Sequence, residues 1–351
     1  MAKTIYRKLF YREVKLKAGV VRSVLVRGEG YAPILVACIL ARFVVHDPSQ
    51  IHLQSAQARS ETGPLFLRSD MDHLHRSLGI ERQHIAAVSE DQSPFGEIGL
   101  KRGVRFPFSP YGASLQGVSF YQIWLKEWLG GQAIELCHYN PSFSSLHQSQ
   151  GFWRIDPIRY EKLLLKVSKL AGIGKFFSDA ESVSLSDYEL VVDTANHEAS
   201  KDEACISVQI GRSKLSGVNL FEFDLMVLHQ DLLTLIQNFP HVDLNRAGQQ
   251  ELDRKLNSVL ASFEDMQTIL ADDLESVSLS NRVKERINVW LDIGRIPPYE
   301  DDFFAPHEWT AIMHQCVGIP QHYSRLVDSL QPSHISDHLD NLVLSEGHEN
   351  G

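Results

Sequence analysis

Val20-Val21-Arg22-Ser23-Val24-Leu25-Val26, then Arg27-Gly28-Glu29-Gly30, then the apolar run from Tyr31 to Ala41 decide how the first half of this chain folds. The opening residues are rich in β-branched side chains and read as a short strand. Two glycines one residue apart follow it, and Ala32–Val45 has the length and apolarity of a buried helix. Strand, glycine turn and helix in that order open a dinucleotide-binding unit, where glycine admits a pyrophosphate close to the backbone and the helix N-terminus faces it. Gly28 and Gly30 hold the first two positions of the GxGxxG pattern and are candidate cofactor contacts, while Pro33 occupies the third.

Working outward, strand-like and helix-like segments alternate. Ile51–Leu53 reads as a strand, and Gln54 closes it where an acidic residue normally binds ribose hydroxyls. Met71–Leu78 and Phe120–Leu129 have helical spacing. Asp156–Leu170 reads as an amphipathic helix with Pro157 in its first turn and Ile158, Leu163, Leu164 and Val167 on one side. Leu190–Val192 and Ile206–Ile210 read as strands, so the first part is an α/β layer around a mostly parallel sheet. Beyond Leu220 the pattern turns helical, over Leu225–Asn238, Gln249–Leu270, Ser280–Ile293, His307–Cys316, His322–Leu330 and Ser333–Leu344. The expected organisation is a divergent FAD-binding-like, Rossmann-like α/β region over 1–220, a helical region over 221–344 and a polar tail over 345–351.

Composition narrows the function classes. The net charge of −10 over 351 residues argues against a nucleic-acid partner, which needs a concentrated basic surface. The longest apolar run ends at Arg42, short of a membrane span, and the basic start lacks the apolar stretch of a secretory signal. Four cysteines (Cys38, Cys137, Cys205 and Cys316) lie far apart without a CxxC, which fits free thiols in a reducing compartment. A cytoplasmic protein is expected. Sixteen histidines form no metal framework: Asp72-His73-Leu74-His75 places its two histidines at a spacing that faces different sides of a helix, so no metal site is expected.

Several segments resemble the flavin-dependent tryptophan halogenases. Phe108-Ser109-Pro110-Tyr111-Gly112, continuing to Gly117-Val118-Ser119-Phe120-Tyr121-Gln122-Ile123-Trp124-Leu125, is similar to the family's HPFG…GVxFxxYWL segment. Gly151-Phe152-Trp153-Arg154-Ile155-Asp156 and its helix resemble the family's YHFDA helix. Glu189-Leu190-Val191-Val192-Asp193 resembles the strand carrying a late FAD contact, which makes Asp193 a further candidate cofactor residue. At the C-terminal end Glu285-Arg286-Ile287, Gly294-Arg295, Tyr299 to Phe304, Trp309 and Gly318-Ile319-Pro320…Asp328 run in the family's order and spacing.

The resemblance implies a shortened, divergent member of a family in which reduced FAD and oxygen oxidise halide, a lysine presents the halogen and a glutamate assists. Leu100-Lys101-Arg102-Gly103-Val104-Arg105-Phe106 is similar to FKLGIRF and places Lys101 at the reactive lysine. Phe221-Glu222-Phe223-Asp224-Leu225 stands where LEPLEST precedes a helix with a histidine, here His229. Asp224 takes the catalytic acidic position, or Glu222 if the register slips, although acidic residues there also serve as helix caps. The flavin contacts depart from the family pattern at Pro33, Gln54 and Asn196, and none of the five tryptophans forms a WxW pair. These losses imply a non-catalytic protein with a binding or regulatory role, whose partner is a protein or a small aromatic ligand. A chain that retains FAD would instead be a divergent halogenase or monooxygenase acting on an indole-type substrate.

Overall fold

The computed structural model describes residues 21–45, 47–56, 63–91, 93–100, 103–139, 151–178, 181–195, 206–211, 223–239, 246–271, 279–299 and 302–342. The elements in chain order are β1 (Val24–Glu29), α1 (Tyr31–Phe43), β2 (Ile51–Ala56), β3 (Leu65–Arg68), α2 (His73–Ser77), α3 (Arg82–Val88), β4 (Glu97–Gly99) and β5 (Arg105–Pro107). There follow α4 (Phe120–Leu129), β6 (Phe152–Ile155), α5 (Pro157–Ala171), β7 (Phe176–Ser178), β8 (Leu190–Asp193) and β9 (Ile206–Gln209). The chain ends with α6 (Asp224–Asn238), α7 (Arg246–Ile269), α8 (Asn281–Ile293), α9 (Pro306–Cys316) and α10 (Pro332–Asp340).

The main sheet has five parallel strands in the order β7-β2-β1-β8-β9. Counting its own strands along the chain, this is 3-2-1-4-5, the order of a doubly wound sheet, and it reverses between β1 and β8. The strand cores Val24-Leu25-Val26 and Leu190-Val191-Val192 are continuously apolar because both faces are covered. Helix α1 is buried continuously from Pro33 to Leu40, which explains its near-uniform apolarity, and it packs on β1, β2 and α5. Asp156 caps α5 by accepting from the Ile158 and Arg159 amides at 2.9 Å each.

Two large cores result. One surrounds the sheet and includes Leu225, Leu228, Leu232 and Leu235 of α6. The other is aromatic, with Phe106, Phe152, Phe223, Phe263, Phe304, Trp124, Trp290 and Trp309. Helix α6 lies between them, sending Met226 and Val227 to the aromatic side. The stacked pair Trp124–Trp128, 5.2 Å between ring centroids, belongs to the second core's packing.

The expected elements recur with three corrections. On α5 the fully buried line is Tyr160, Leu164 and Ser168 at four-residue steps, with Leu163 and Val167 packed half-buried beside it, while Ile158 is 49% exposed in the capped first turn. The helix expected over His322–Leu330 is only a short 3-10 turn at Arg325–Ser329. Ser324 is extended, and the stretch is held against α8 and α4 instead: Gln321 and His322 donate to the Leu291 and Asp292 carbonyls, and Ser324 donates to Gln122 Oε1. Five short strands (β3 to β7) and α3 had no counterpart in the sequence reading. The boundary expected near residue 220 and the tail over 345–351 lie outside the described residues.

Candidate site at the topological switch point

In an open α/β sheet the ligand crevice lies beyond the carboxyl ends of the strands where their order reverses. Here that point is flanked by Gly28-Glu29-Gly30 after β1 and by Asp193-Thr194 at the end of β8. Gly30 takes φ +63° as it enters α1, a conformation that suits glycine. The first turn of α1 has no side-chain cap and no acidic residue, and Pro33 supplies no amide there. A Cβ at Gly28 would collide with Thr194 Oγ1 and lie 3.4 Å from the Pro33 ring. The close approach that glycine permits is therefore taken up by the chain's own threonine. Thr194 donates to the Arg27 carbonyl through both its amide, at 2.9 Å, and its hydroxyl, at 3.1 Å.

Gln54, Arg27, Asp193 and Gln209 are direct register partners on successive strands and so share one face of the sheet. Arg27 grips Asp193 with two hydrogen bonds, Nε to Oδ1 at 2.6 Å and Nη2 to Oδ2 at 2.8 Å. The Asp193 side chain is wholly buried and that of Arg27 is 12% exposed. Gln54 Nε2 donates to the Glu181 carbonyl at 2.9 Å. The 183–188 segment then covers the same face, with Tyr188, Val183 and Leu185 against Leu25 and Val191, and the Tyr188 hydroxyl 2.8 Å from His52 Nδ1.

These residues do not fit a flavin dinucleotide. Asp193 is engaged by Arg27, Gln54 is tied to the covering backbone, the Gly28 cradle holds Thr194, and Pro33 removes an amide from the phosphate-facing helix end.

The other candidates are separated from this crevice along the chain. Lys101, Glu222 and Asn196 lie outside the described residues. The Leu100 amide donates to the Val104 carbonyl at 2.7 Å. Phe106 of β5 meets Phe223 edge-on at 5.0 Å, so β5 and the start of α6 converge on one aromatic cluster. Asp224 begins α6 and is 8% exposed. Of the Glu300–Asp302 run, Asp302 is described and forms a structural ion pair. It accepts two bonds from Arg286, whose guanidinium also lies 4.2 Å from the Trp309 ring centroid.

Sequence reading missed the Arg27–Asp193 pair, because register between distant strands is invisible along the chain. It also missed a buried cluster of His75, Tyr160 and His229. His75 Nε2 lies 2.6 Å from the Tyr160 hydroxyl, and the two imidazole centroids are 4.8 Å apart. Burial, with His73 nearby, pushes His75 down to about 3, and burial drives His229 well below its ordinary value and Tyr160 well above its own. Among the described residues no group of side chains is placed to hold a metal ion, and no helix is long and apolar enough to cross a membrane.

No protein-family model and no curated protein matches this chain. Solved structures do. A flavin-dependent halogenase from Brevundimonas sp. BAL3 aligns over 92% of this chain and 95% of its own, with a TM-score of 0.71 and 14% identity. A flavin-dependent halogenase from Xanthomonas campestris aligns over 92% and 94%, again at TM-score 0.71 and 14% identity. A tryptophan 6-halogenase from Streptomyces toxytricini aligns over 91% and 95%, at TM-score 0.68 and 14% identity. The doubly wound sheet, the aromatic second core and these alignments along nearly the whole chain establish that this divergent sequence has the fold of the flavin-dependent halogenases.

Proposed function

We propose that the chain is a non-catalytic protein on the halogenase fold, serving a binding or regulatory role toward a protein or a small aromatic ligand. The observation that carries this reading is the self-satisfied crevice: Arg27 occupies both oxygens of Asp193, beside a Gln54 bonded to Glu181. A buried carboxylate with a bidentate arginine has a strong partner already, and a ligand must displace that pair before using it.

Titration of the purified protein with oxidised and with reduced FAD tests this reading. The expected result is no binding of either form at high micromolar concentration. Stoichiometric binding of either form overturns it.

A second reading is favoured by one observation, the convergence of β5, which follows Lys101 in the sequence, and the start of α6 on Phe106 and Phe223. It assigns Lys101 and Asp224, or Glu222, as the working pair of a divergent flavin-dependent halogenase or monooxygenase. It requires FAD to bind despite Pro33 and the Arg27–Asp193 pair. Loss of FAD-dependent turnover of an indole in Lys101→Ala, with FAD binding unchanged, is its expected signature.

A further inference from the structure

His75 is the hub of a buried polar cluster drawn from four helices. It sits on α2, which is only five residues long, and contacts Tyr160 of α5 and His229 of α6. Tyr160 packs in turn on Tyr31, the first residue of α1, at 5.6 Å between centroids. His75, Tyr160 and His229 have no solvent exposure. His75 Nδ1 has no hydrogen-bond partner, and His229 meets only the Met71 backbone, without good hydrogen-bond geometry. Both rings therefore sit in a fully buried setting in which a charged imidazolium is disfavoured.

The surrounding titratable groups set its response to protons. His73 of α2 faces both His75 and His229, and Asp70, Asp72 and Arg76 face His73. Tyr31 and Cys38 of α1 face Tyr160. Asp231 of α6 is buried, and one of its oxygens accepts from the Gly211 amide at 2.7 Å. No carboxylate acts on His75 or His229, so an imidazolium there would be desolvated, uncompensated and set against a second ring.

The backbone of this segment depends on the same residue. The His75 carbonyl accepts from the amides of both Leu78 and Ile80 at 2.9 Å, organising the turn that follows α2. At the other end Ser69 is pinned to Gly151 by reciprocal bonds of 2.9 Å. Leu74 and Ile80 face inward, while Ser69, Asp70, Asp72 and Arg76 line a cavity of about 250 Å³ shared with Trp153. One short segment thus carries a proton-sensitive latch inside and a cavity wall outside.

We propose that residues 69–80 form a flap, latched shut by neutral His75 and His229, that opens when these histidines take up protons and thereby reshapes the Asp70–Arg76–Trp153 cavity. Opening lets the imidazoles meet water before they charge, and Ser69 bonded to Gly151 is the hinge. Closure at neutral pH restores the stack of His75 on His229 and the bond to Tyr160.

Hydrogen exchange of the full chain at pH 7.5 and pH 5.0, corrected for the intrinsic rate, tests the proposal. The opening equilibrium of 69–80 is expected to rise by about thirtyfold for each proton taken up, while β1 and β8 keep their protection. The double variant His75→Gln with His229→Gln keeps hydrogen-bonding groups that do not titrate, and its 69–80 segment is expected to lose the pH dependence. If that variant does not fold, the ring protons of the two histidines are followed by NMR in the unaltered protein. Their protonation together with loss of 69–80 protection supports the flap. Protonation without that loss, equal opening at both pH values, or opening only with global unfolding overturns it.

Discussion

The switch-point crevice and the His75 cluster are joined through Tyr31, yet they bury polar groups in opposite ways. At the crevice each described side chain finds a partner within the chain: Arg27 with Asp193, Gln54 with Glu181, Thr194 with the Arg27 carbonyl. Around His75 and His229 the rings are wholly buried, His75 Nε2 meets a neutral tyrosine hydroxyl, and burial keeps both rings neutral. A satisfied buried group resists a ligand, which must first break a charge-assisted bond. A buried neutral ring without a counter-charge takes up a proton only after an opening that admits water. The same fold is therefore expected to be inert where a halogenase-like crevice would bind and responsive where the sequence showed only a helix with histidines.

The largest test of this contrast is to break the crevice pair. Asp193→Ala leaves the buried Arg27 cation unpaired and should lower stability by about 3–5 kcal/mol in denaturant unfolding. Arg27→Met combined with Asp193→Leu should recover most of that loss, since an apolar pair of similar volume removes the need for compensation. Failure of the double variant to recover would mean that Asp193 supports something other than Arg27.

A smaller effect is expected at Gly28. Gly28→Ala drives a methyl into Thr194 Oγ1 and should cost about 1–3 kcal/mol. Adding Thr194→Ala should return part of it. If nothing returns, the backbone conformation at Gly28 is the constraint and the threonine is incidental.

The histidine side predicts acid sensitivity with a definite sign. His75 is held neutral in the fold, at about 3 against an ordinary 6.5, so its contribution is fully present above about pH 6.5 and declines as pH falls below it. At pH 5.5 this amounts to about 1.4 kcal/mol for the one histidine, read as a lowered urea midpoint relative to pH 7.5. His75→Gln should flatten the profile, and an unchanged slope would place the acid sensitivity elsewhere. Smallest of all, Asp156→Ala removes the cap of α5 and should cost about 1 kcal/mol. Because that turn supports Tyr160, the variant should also raise exchange in 69–80 at neutral pH.

Much of the fold was legible along the chain because its signals are local. The run from Val24 through Gly30 to Leu40 specifies strand, turn and buried helix by apolarity and glycine alone, and Asp156-Pro157 announces the start of α5. The short strands β3 to β7, each three or four residues, were not legible, since so few residues carry no periodicity and become strands only by pairing, β4 with its near neighbour β5 and the others with distant partners. The candidate site divides the same way. Residue types at Pro33 and Gln54 already departed from a flavin contact in the sequence. That Arg27 closes on Asp193, 166 positions away, follows only from the parallel register of β1 and β8. Likewise the sequence by itself determined that His75 and His229 lie on helices, and only the packing of α2, α5 and α6 decided that they meet in the buried interior. Local propensity and apolar patterning act within a few residues, whereas ion-pair choice and desolvation depend on which distant side chains the tertiary fold brings within 3–5 Å.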